Sequence, residues 1–285
     1  MTPITTVIPV FNRAHVVGRA IESVLTQELP PGFSLKVLVV DDGSSDGLSE
    51  VLSRFGPNVE CIRHPHNIGA AAARNTGMSA ADDGFVAFLD SDDVWLPGKL
   101  RRQLELMRQH GWQASCTAFS LARSGRQDVV SPFYPSGVLG LADFVWGCFT
   151  CPGSTLLSER SVLAEVGPLD VGMRRMEDWD WMIRFVEKHE MGFIHEPLGR
   201  KHLSDHRNQA EVVAALAMLR AKHEASLSGA HRRHFLAAMD LEMAAAHYRS
   251  GNVFRMMVPC LRSLLRSPVG NQALALVLHN RLARG

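Results

Sequence analysis

Apolar residues in the first ninety positions follow two alternating patterns. Short runs that are apolar at nearly every position predict buried strands, and apolar residues three or four positions apart predict helices. The predicted strands are residues 5–11, 35–40, 59–62 and 85–89, and the predicted helices between them are residues 16–25, 48–55 and 70–81. This alternation predicts an α/β fold with a mostly parallel sheet that helices cover on both faces.

The rest of the chain has a different pattern. Helical spacing returns over residues 97–111, over residues 162–166 and again after Asp178. Residues 112–155 contain several prolines and glycines and show no clear period. From about residue 205 the pattern is helical throughout and rich in alanine, leucine and methionine. We therefore expect an α/β domain over residues 1–204 and a helical extension over residues 205–285.

Composition narrows the classes of function. The 285 residues are 46% hydrophobic and 21% charged, as in a globular protein, and the net charge of +1 argues against nucleic acid as a partner. The first residues lack the pattern of a signal peptide, and no stretch reaches the ~18 apolar residues of a membrane span. These features predict a cytoplasmic protein. Cys148 and Cys151 are spaced like half of a zinc site, but no second pair accompanies them, so we expect reduced thiols.

Polar residues cluster directly after three of the predicted strands. They are Asn12 and Arg13 after the first strand, residues 41–44 after the second and residues 90–93 after the fourth. Ligands of open α/β sheets bind beyond the carboxyl ends of the strands, where these clusters meet at one edge. The sequence therefore predicts a binding site at this edge.

The acidic segment Asp90-Ser-Asp-Asp93 is the first candidate for chemistry. Three carboxylates within four residues repel one another unless a cation or hydrogen-bond donors stabilise them. Such oxygen ligands suit Mg²⁺ or Mn²⁺, which also bind substrate phosphates. The alternative is an acidic turn before the helix that begins at Pro97. The position at the end of a strand favours the metal.

Two further segments near the same edge have both a functional and a structural interpretation. Residues 41–46 either bind a base or ribose through a carboxylate or form an ordinary turn that caps the next helix. Arg74 is the only charge in a helix of small residues, and its guanidinium suits a nucleotide or a diphosphate. The alternative for Arg74 is a solvated side chain, and we favour the ligand.

Acids and tryptophans occur together at the start of the helix near residue 178. Glu177 and Asp178 there either stabilise the helix dipole or supply a general base for a hydroxyl group. Trp179 and Trp181 beside them offer a surface on which a sugar stacks.

The remaining polar candidates are more ambiguous. His202 is either a metal ligand from across the cleft or a surface histidine, and His64 and His66 are expected to be structural. Arg174 and Arg175 either meet an anionic acceptor or leaving group or are solvated.

Taken together, these segments resemble the family 2 glycosyltransferases, which have the GT-A fold. The matching segments occur in the order of the family. They are residues 6–12, 40–46, 67–69 with 73–77, 88–93, 166–170, 177–180 and 200–202. The resemblance covers about residues 4–204, and it implies a nucleotide-binding half over about 1–95 and an acceptor half over about 96–204.

The resemblance also implies roles for individual residues. Asp42 resembles the acid that reads the base, and Asp90 and Asp92 resemble the Asp-x-Asp pair, with Asp90 at the ribose and Asp92 on the metal. The implied nucleotide-binding residues are Pro9, Val10, Phe11, Arg13, Asp42, Arg74, Asp90 and Ser91. The implied metal ligands for Mn²⁺ or Mg²⁺ are Asp92, Asp93 and His202, and the implied catalytic residues are the base Asp178 and its supporting Glu177.

A mechanism follows from these implied roles. Asp178 takes the proton from an acceptor hydroxyl, which attacks the sugar and inverts its anomeric configuration as the diphosphate leaves. UDP is the favoured carrier of the sugar, and GDP and dTDP are the alternatives. The acceptor is a glycan, a lipid-linked molecule or a small molecule. The alternatives are a sugar nucleotidyltransferase, which normally has a glycine-rich basic loop where this chain has residues 9–13, and a non-catalytic nucleotide-sugar-binding or scaffold protein.

Two segments outside these motifs carry hypotheses of their own. The poorly patterned residues 125–150 are a candidate lid that excludes water. After Glu242 the chain has no acid and six arginines, at positions 249, 255, 262, 266, 281 and 284. With the apolar residues between them they form either a face that packs on the catalytic domain, which we favour, or a surface for anionic lipid or a homodimer.

Overall fold

The computed structural model describes residues 1–122, 128–131, 137–202 and 208–267. The strands are Thr2–Val10 (β1), Phe33–Asp41 (β2), Val59–Arg63 (β3), Phe85–Phe88 (β4), Val94–Trp95 (β5), Ala114–Ala122 (β6), Val129–Ser131 (β7), Gly137–Leu139 (β8), Leu157–Glu159 (β9) and Met191–His202 (β10). The α-helices are Ala14–Leu25 (α1), Leu48–Leu52 (α2), Ala70–Ala80 (α3), Lys99–His110 (α4), Leu141–Phe144 (α5), Pro152–Thr155 (α6), Arg160–Val166 (α7), Glu177–Val186 (α8), Gln209–His223 (α9), Gly229–Arg249 (α10) and Val253–Arg266 (α11). A 3₁₀-helix follows α2 over Ser53–Asn58.

One sheet runs through the α/β part of the molecule, in the order β3-β2-β1-β4-β9-β6-β10-β5. Strands β1 to β4 pair in parallel with one another, as the alternating pattern predicts. Strand β9 is antiparallel to both of its neighbours, β4 and β6, so the second half of the sheet is mixed. The predicted fold class, a sheet flanked by helices with a helical region after it, is confirmed.

The small residues of α3 allow this helix to lie directly on β1. A Cβ atom built on Gly77 would lie 2.2 Å from Cγ1 of Val7, a distance that side chains do not tolerate. Ala71 and Ala73 are buried in the same hydrophobic cluster as Val7 and Val40 of the sheet. This close packing fixes the height of α3, and therefore of Arg74, above the ends of the strands.

The second half of the sheet is where the sequence pattern was least informative. The long strand β10 contains Pro197 and Gly199, which weaken a strand, and its register with β6 shifts on both sides of Pro197. Residues 125–127 and 132–136 of the candidate lid lie outside the described residues. In the described part of that segment, Phe144, Trp146 and Phe149 are buried in the core.

The first two helices of the extension share the core of the α/β part. Leu219 of α9 and Phe235 of α10 are fully buried in the same hydrophobic cluster as Trp179 and Phe185 of α8. The predicted boundary at residue 204 falls within residues 203–207, which lie outside the described residues, as do Arg281 and Arg284. No helix in the described ranges combines the length and the apolar character that crossing a bilayer requires.

Candidate active site

Three polar clusters meet at the carboxyl ends of β1, β2 and β4. The backbone N–H of Asn12 donates to Oγ of Ser44 at 3.0 Å, and the N–H of Ser45 donates to Oδ1 of Asn12 at 2.9 Å. The guanidinium of Arg13 lies 3.5 Å from the carboxylate of Asp92. The structure therefore brings together the three clusters that follow the strands.

Asp42 lies deep in this edge and holds the loop before α3. Its Oδ1 lies 2.8 Å from Nδ1 of His64 and accepts the N–H of Ile68 at 3.0 Å, and its Oδ2 accepts the N–H of Gly69 at 2.8 Å. Asp42 is only 2% exposed. The carboxylate thus fixes residues 64–69, while base reading by Asp42 stays a prediction. His64 is structural, as expected, since its other ring nitrogen lies 2.9 Å from Oγ1 of Thr76.

The other predicted nucleotide-binding residues surround this cluster. Val10 and Ser91 are buried, and Pro9 is half-buried at the end of β1. Phe11 follows the strand and is 43% exposed, which leaves its ring face available to a ligand. An exposed aromatic ring at the end of a strand is suited to stacking on a base.

Arg74 connects the two halves of the site. Its Nη2 donates to Oδ1 of Asp90 at 2.6 Å and its Nη1 donates to Oε1 of Glu177 at 3.0 Å. A Cβ atom at position 153 would lie 2.8 Å from Nη2 of Arg74, so a larger residue in place of Gly153 would displace the guanidinium. Arg74 therefore joins the acidic segment after β4 to the start of α8, and its contact with a nucleotide stays a prediction.

Lys201 is a residue of the site that the motifs did not single out. Its ammonium lies 3.1 Å from Oδ2 of Asp90 and 3.0 Å from Oδ2 of Asp93, between the two carboxylates. Burial disfavours the charge on Lys201, but the two carboxylates raise its pKa well above the usual value. Burial also opposes ionisation of Asp90, yet Lys201 and Arg74 lower its pKa to about 2. The available signal was a lysine at the end of β10, inside the segment Arg200-Lys-His202.

Asp93 has its acceptor atoms occupied by groups of the chain. Oδ2 accepts from the hydroxyl of Ser154 at 2.6 Å as well as from Lys201, and Oδ1 accepts the N–H of His202 at 2.9 Å. The side chain is only 2% exposed. Burial raises the pKa of Asp93, and Lys201 only partly offsets this. Asp93 thus fastens the end of β10 to the acidic segment, and its role as a metal ligand stays a prediction.

Asp92 and His202 are the two predicted metal ligands whose side chains the described residues leave largely unoccupied. The carboxylate of Asp92 is 21% exposed and has only the long contact with Arg13 among the described residues, and Nδ1 of His202 is buried there without a hydrogen-bond partner. The described residues contain no group of three or more His, Cys, Asp or Glu side chains placed to hold a metal. Mg²⁺ commonly takes one or two carboxylates from the protein and completes its shell with phosphates and water. Binding of an ion by Asp92 and His202 stays a prediction.

Glu177 and Asp178 stand at the start of α8, beside Arg74. Burial and the neighbouring charge of Asp178 raise the pKa of Glu177 to about 7, although Arg74 opposes this. Adjacent carboxylates in different surroundings are an arrangement found at acid–base sites. Oδ1 of Asp178 accepts the N–H of Trp179 at 2.8 Å, which orients the carboxylate at the helix start.

The two tryptophans after these acids have a different role from the one predicted. Trp179 and Trp181 are 2% and 1% exposed, and their indole N–H groups donate to the carbonyls of Phe144 and Gly167. The prediction of a sugar-stacking surface was therefore wrong, because both rings face the core side of α8. They anchor the helix on which the acids stand.

Comparison with known proteins identifies the family of the chain. Residues 5–166, more than half of the chain, match the family described as "Glycosyl transferase family 2". The chain belongs to this family. An uncharacterized glycosyltransferase of Rickettsia felis is 32% identical over 219 residues, which are 73% of this chain and 34% of that protein. The chain thus spans about a third of the length of that relative.

Two further similarities concern a named enzyme and a solved structure. The Escherichia coli protein "UDP-Glc:alpha-D-GlcNAc-diphosphoundecaprenol beta-1,3-glucosyltransferase WfgD" is 36% identical over 105 residues, 36% of this chain and 40% of that protein. The crystal structure of S. aureus TarS 1-349 has a TM-score of 0.67 at 15% identity, and it covers 99% of this chain and 88% of that chain. TarS has also been solved with UDP-GlcNAc, with a TM-score of 0.63. At this identity the structural similarity shows the GT-A fold alone.

Proposed function

We propose that this protein is an inverting glycosyltransferase that moves a sugar from a nucleotide diphosphate to an acceptor hydroxyl during glycan biosynthesis. The observation that carries the proposal is the bridge from Asp90 through Arg74 to Glu177, since it places the start of α8 beside the nucleotide-binding edge of the sheet. A base on α8 then faces a donor bound at that edge.

UDP is the proposed carrier of the sugar. Phe11 stacks on the base, Asp42 reads its edge and Asp90 binds the ribose, with Arg13 near the diphosphate. The name of the E. coli relative, which includes UDP-Glc, and the TarS complex with UDP-GlcNAc support a uridine nucleotide. The same relative's name supports an acceptor that is an intermediate of glycan assembly.

A divalent cation, Mn²⁺ or Mg²⁺, completes the proposed site. Asp92 and the unpartnered Nδ1 of His202 would hold it. Such an ion neutralises negative charge that develops on a departing diphosphate. Arg13, within 3.5 Å of Asp92, adds positive charge at the same place.

Asp178 is the proposed general base, and Glu177 supports it. Asp178 accepts the proton of the acceptor hydroxyl as the oxygen attacks the anomeric carbon on the face opposite the diphosphate. Glu177, which Arg74 fixes, presents a second carboxyl group to the acceptor. A single displacement inverts the anomeric configuration.

A panel of nucleotide sugars with Mn²⁺ or Mg²⁺ tests this function. We expect the wild type to bind and slowly hydrolyse one donor in a metal-dependent way, and to release a sugar of inverted configuration that NMR identifies. Asp178→Asn should bind the same donor but turn it over roughly 100-fold to 10,000-fold more slowly. Asp92→Ala should lose the response to metal.

The matched control is Asp83→Asn. It removes a carboxylate that is 97% exposed and belongs to none of the segments proposed to form the site. Its turnover should equal that of the wild type. If no nucleotide sugar binds in the presence of either metal, the proposed function fails. If Asp178→Asn turns the donor over at the wild-type rate, Asp178 is not the base.

We also propose that α11 touches an anionic membrane, the place where a lipid-linked acceptor would be held. Phe254, Met257 and Leu265 on one side of this helix are 86%, 60% and 74% exposed. Arg255 and Arg262 are exposed along the edge of the same apolar face. An apolar stripe bordered by arginines is typical of helices that lie in the membrane interface.

A further inference from the structure

A cavity of about 280 Å³ lies beside the acidic start of α8. Gly69 of the nucleotide-binding loop forms one side of it, and Glu177 forms part of its wall. Arg174 and Arg175, from the loop before α8, line it as well, and Glu211 of α9 contributes from the helical extension. The cavity therefore lies where the start of α8, the proposed donor loop and the extension meet.

The two arginines that line this cavity differ from the other cations of the site. Arg74 and Lys201 are each held by two carboxylates. Arg174 and Arg175 form no hydrogen bond or ion pair with any described residue, and Nε of Arg175 is buried without a partner. Because no described residue occupies the guanidinium groups of Arg174 and Arg175, their N–H donors are available to the oxygens of a ligand in the cavity.

The chemistry of the cavity selects the class of ligand. Two adjacent guanidinium groups present several N–H donors in planar forks, which match the oxygens of a phosphate group. Glu177 already pairs with Arg74, and Glu211 is the one other carboxylate among the residues that line the cavity. The two arginines together outweigh it, and the cavity favours an anion.

We propose that Arg174 and Arg175 form a phosphate subsite for the acceptor, so that the acceptor is a phosphorylated sugar. This inference rests on the proposed function, which places the donor diphosphate at Asp92 and the attacking hydroxyl at Asp178. The phosphate of the acceptor then lies on the other side of the Arg74 bridge from the diphosphate of the donor. Binding there holds the acceptor sugar next to the base.

The test measures two affinities by calorimetry, first for UDP with Mg²⁺ and then for glucose 1-phosphate added to the UDP-saturated protein. We expect the wild type to bind both. The double variant Arg174→Ala with Arg175→Ala should keep its UDP affinity and lose roughly tenfold or more of its affinity for glucose 1-phosphate. The double variant Arg174→Lys with Arg175→Lys keeps the positive charges but loses the paired N–H donors of the guanidinium groups. Its affinity for glucose 1-phosphate should lie between those of the wild type and the double alanine variant.

Two single variants sharpen the comparison. Glu211→Gln removes the carboxylate of the cavity and should strengthen binding of glucose 1-phosphate. Arg54→Ala removes an exposed arginine elsewhere on the surface and should change neither affinity. Circular dichroism confirms that each variant is folded before its titration.

The outcomes separate this inference from the proposed function. If the wild type does not bind UDP, the proposed function fails and the subsite fails with it. If UDP binds but glucose 1-phosphate does not, or binds the double alanine variant equally well, the subsite alone is overturned. If the double variant loses UDP affinity instead, the arginines serve the donor, and the inference is again overturned.

Discussion

At the scale of single residues, the site is a set of carboxylates that buried cations hold in place. Arg74 joins Asp90 to Glu177, and Lys201 joins Asp90 to Asp93. Every one of these side chains is at most one quarter exposed, so each charge depends on its partner. The acids were predictable from the motifs. Lys201 was not, because the sequence does not show which strand end faces the acidic segment.

Replacing Lys201 tests this dependence. Lys201→Met leaves Asp90 and Asp93 buried without their shared cation, so the pKa of Asp90 should rise and the free energy of unfolding should fall by on the order of 3 kcal/mol. Donor turnover at a temperature where the variant is folded should fall about 100-fold. Urea unfolding and the donor assay measure the two effects.

Lys188→Met is the control for this change, because Lys188 is exposed and contacts only the carbonyl of Glu165 among its described neighbours. It should alter stability by less than about 1 kcal/mol. Equal effects of the two replacements would contradict the role of Lys201.

At the scale of elements, helices α9 and α10 of the extension pack against α8 and hold it in place. Asp180, in the first turn of α8, is fully buried and lies 2.9 Å from Nε2 of His223 and 3.2 Å from Nζ of Lys222, both on α9. The ring of Trp179 packs edge-on against Phe235 of α10, with ring centres 5.7 Å apart. The extension thus determines where Asp178 stands.

Asp180 should also give the protein a measurable acid sensitivity. Burial opposes ionisation of Asp180, but His223, Arg184 and Lys222 lower its pKa from 3.8 to about 2. A carboxylate with a depressed pKa stabilises the fold above the unfolded pKa, and this stabilisation is lost as the pH falls from about 4 to about 2. Asp180→Asn should therefore lower the free energy of unfolding at pH 7 by about 2–3 kcal/mol.

Urea unfolding between pH 2 and pH 7 measures this effect. The wild type should lose stability relative to Asp180→Asn as the pH falls below 4, until the difference largely disappears. The exposed Asp83→Asn control should follow the wild type throughout. A constant difference between wild type and Asp180→Asn at every pH would mean that packing, and not the charge of Asp180, is responsible.

At the scale of the whole molecule, the last described helix presents an apolar face that the described core does not cover. Pro259 and Ser263 of α11 are buried, and Oγ of Ser263 donates to the carbonyl of Ala237 in α10. The opposite side of α11 carries Phe254 and Leu265. We expected the apolar residues of this helix to pack on the catalytic domain. Within the described ranges, Phe254 and Leu265 do not, because both are exposed.

Vesicle sedimentation tests the membrane contact at this scale. The protein should bind vesicles that contain anionic lipid more strongly than neutral ones, and binding should weaken as salt rises, because each arginine near the surface contributes about 1 kcal/mol. Phe254→Ser with Leu265→Ser should abolish binding. The control Val213→Ser changes an apolar residue of α9 that is 41% exposed and should have no effect.

Light scattering of the same proteins tests the alternative that a second copy of this chain, and not a membrane, covers the apolar face of α11. If the wild type does not bind vesicles but is a dimer, and the double serine variant is a monomer, α11 mediates contact between two copies. The membrane prediction would then be wrong.

The sequence by itself determined the parallel half of the fold and the acids of the site. Strands β1, β2 and β4 are mostly apolar and buried, the edge strand β3 keeps apolar residues at its two half-buried positions, and helices alternate with all four, so local periodicity was sufficient to predict them. Asp90, Asp92 and Asp178 occur in short ordered segments whose spacing carries the resemblance to the family. These features depend on residues that are close together in the chain.

Tertiary structure decided the features that depend on contacts between distant residues. Lys201 meets Asp90 across 111 positions, and His223 meets Asp180 across 43. The tryptophans of α8 face the core and not the site because the extension and the sheet pack on that side. Local patterning reports whether a side chain is apolar or charged, but only the packing of whole elements decides which charges meet.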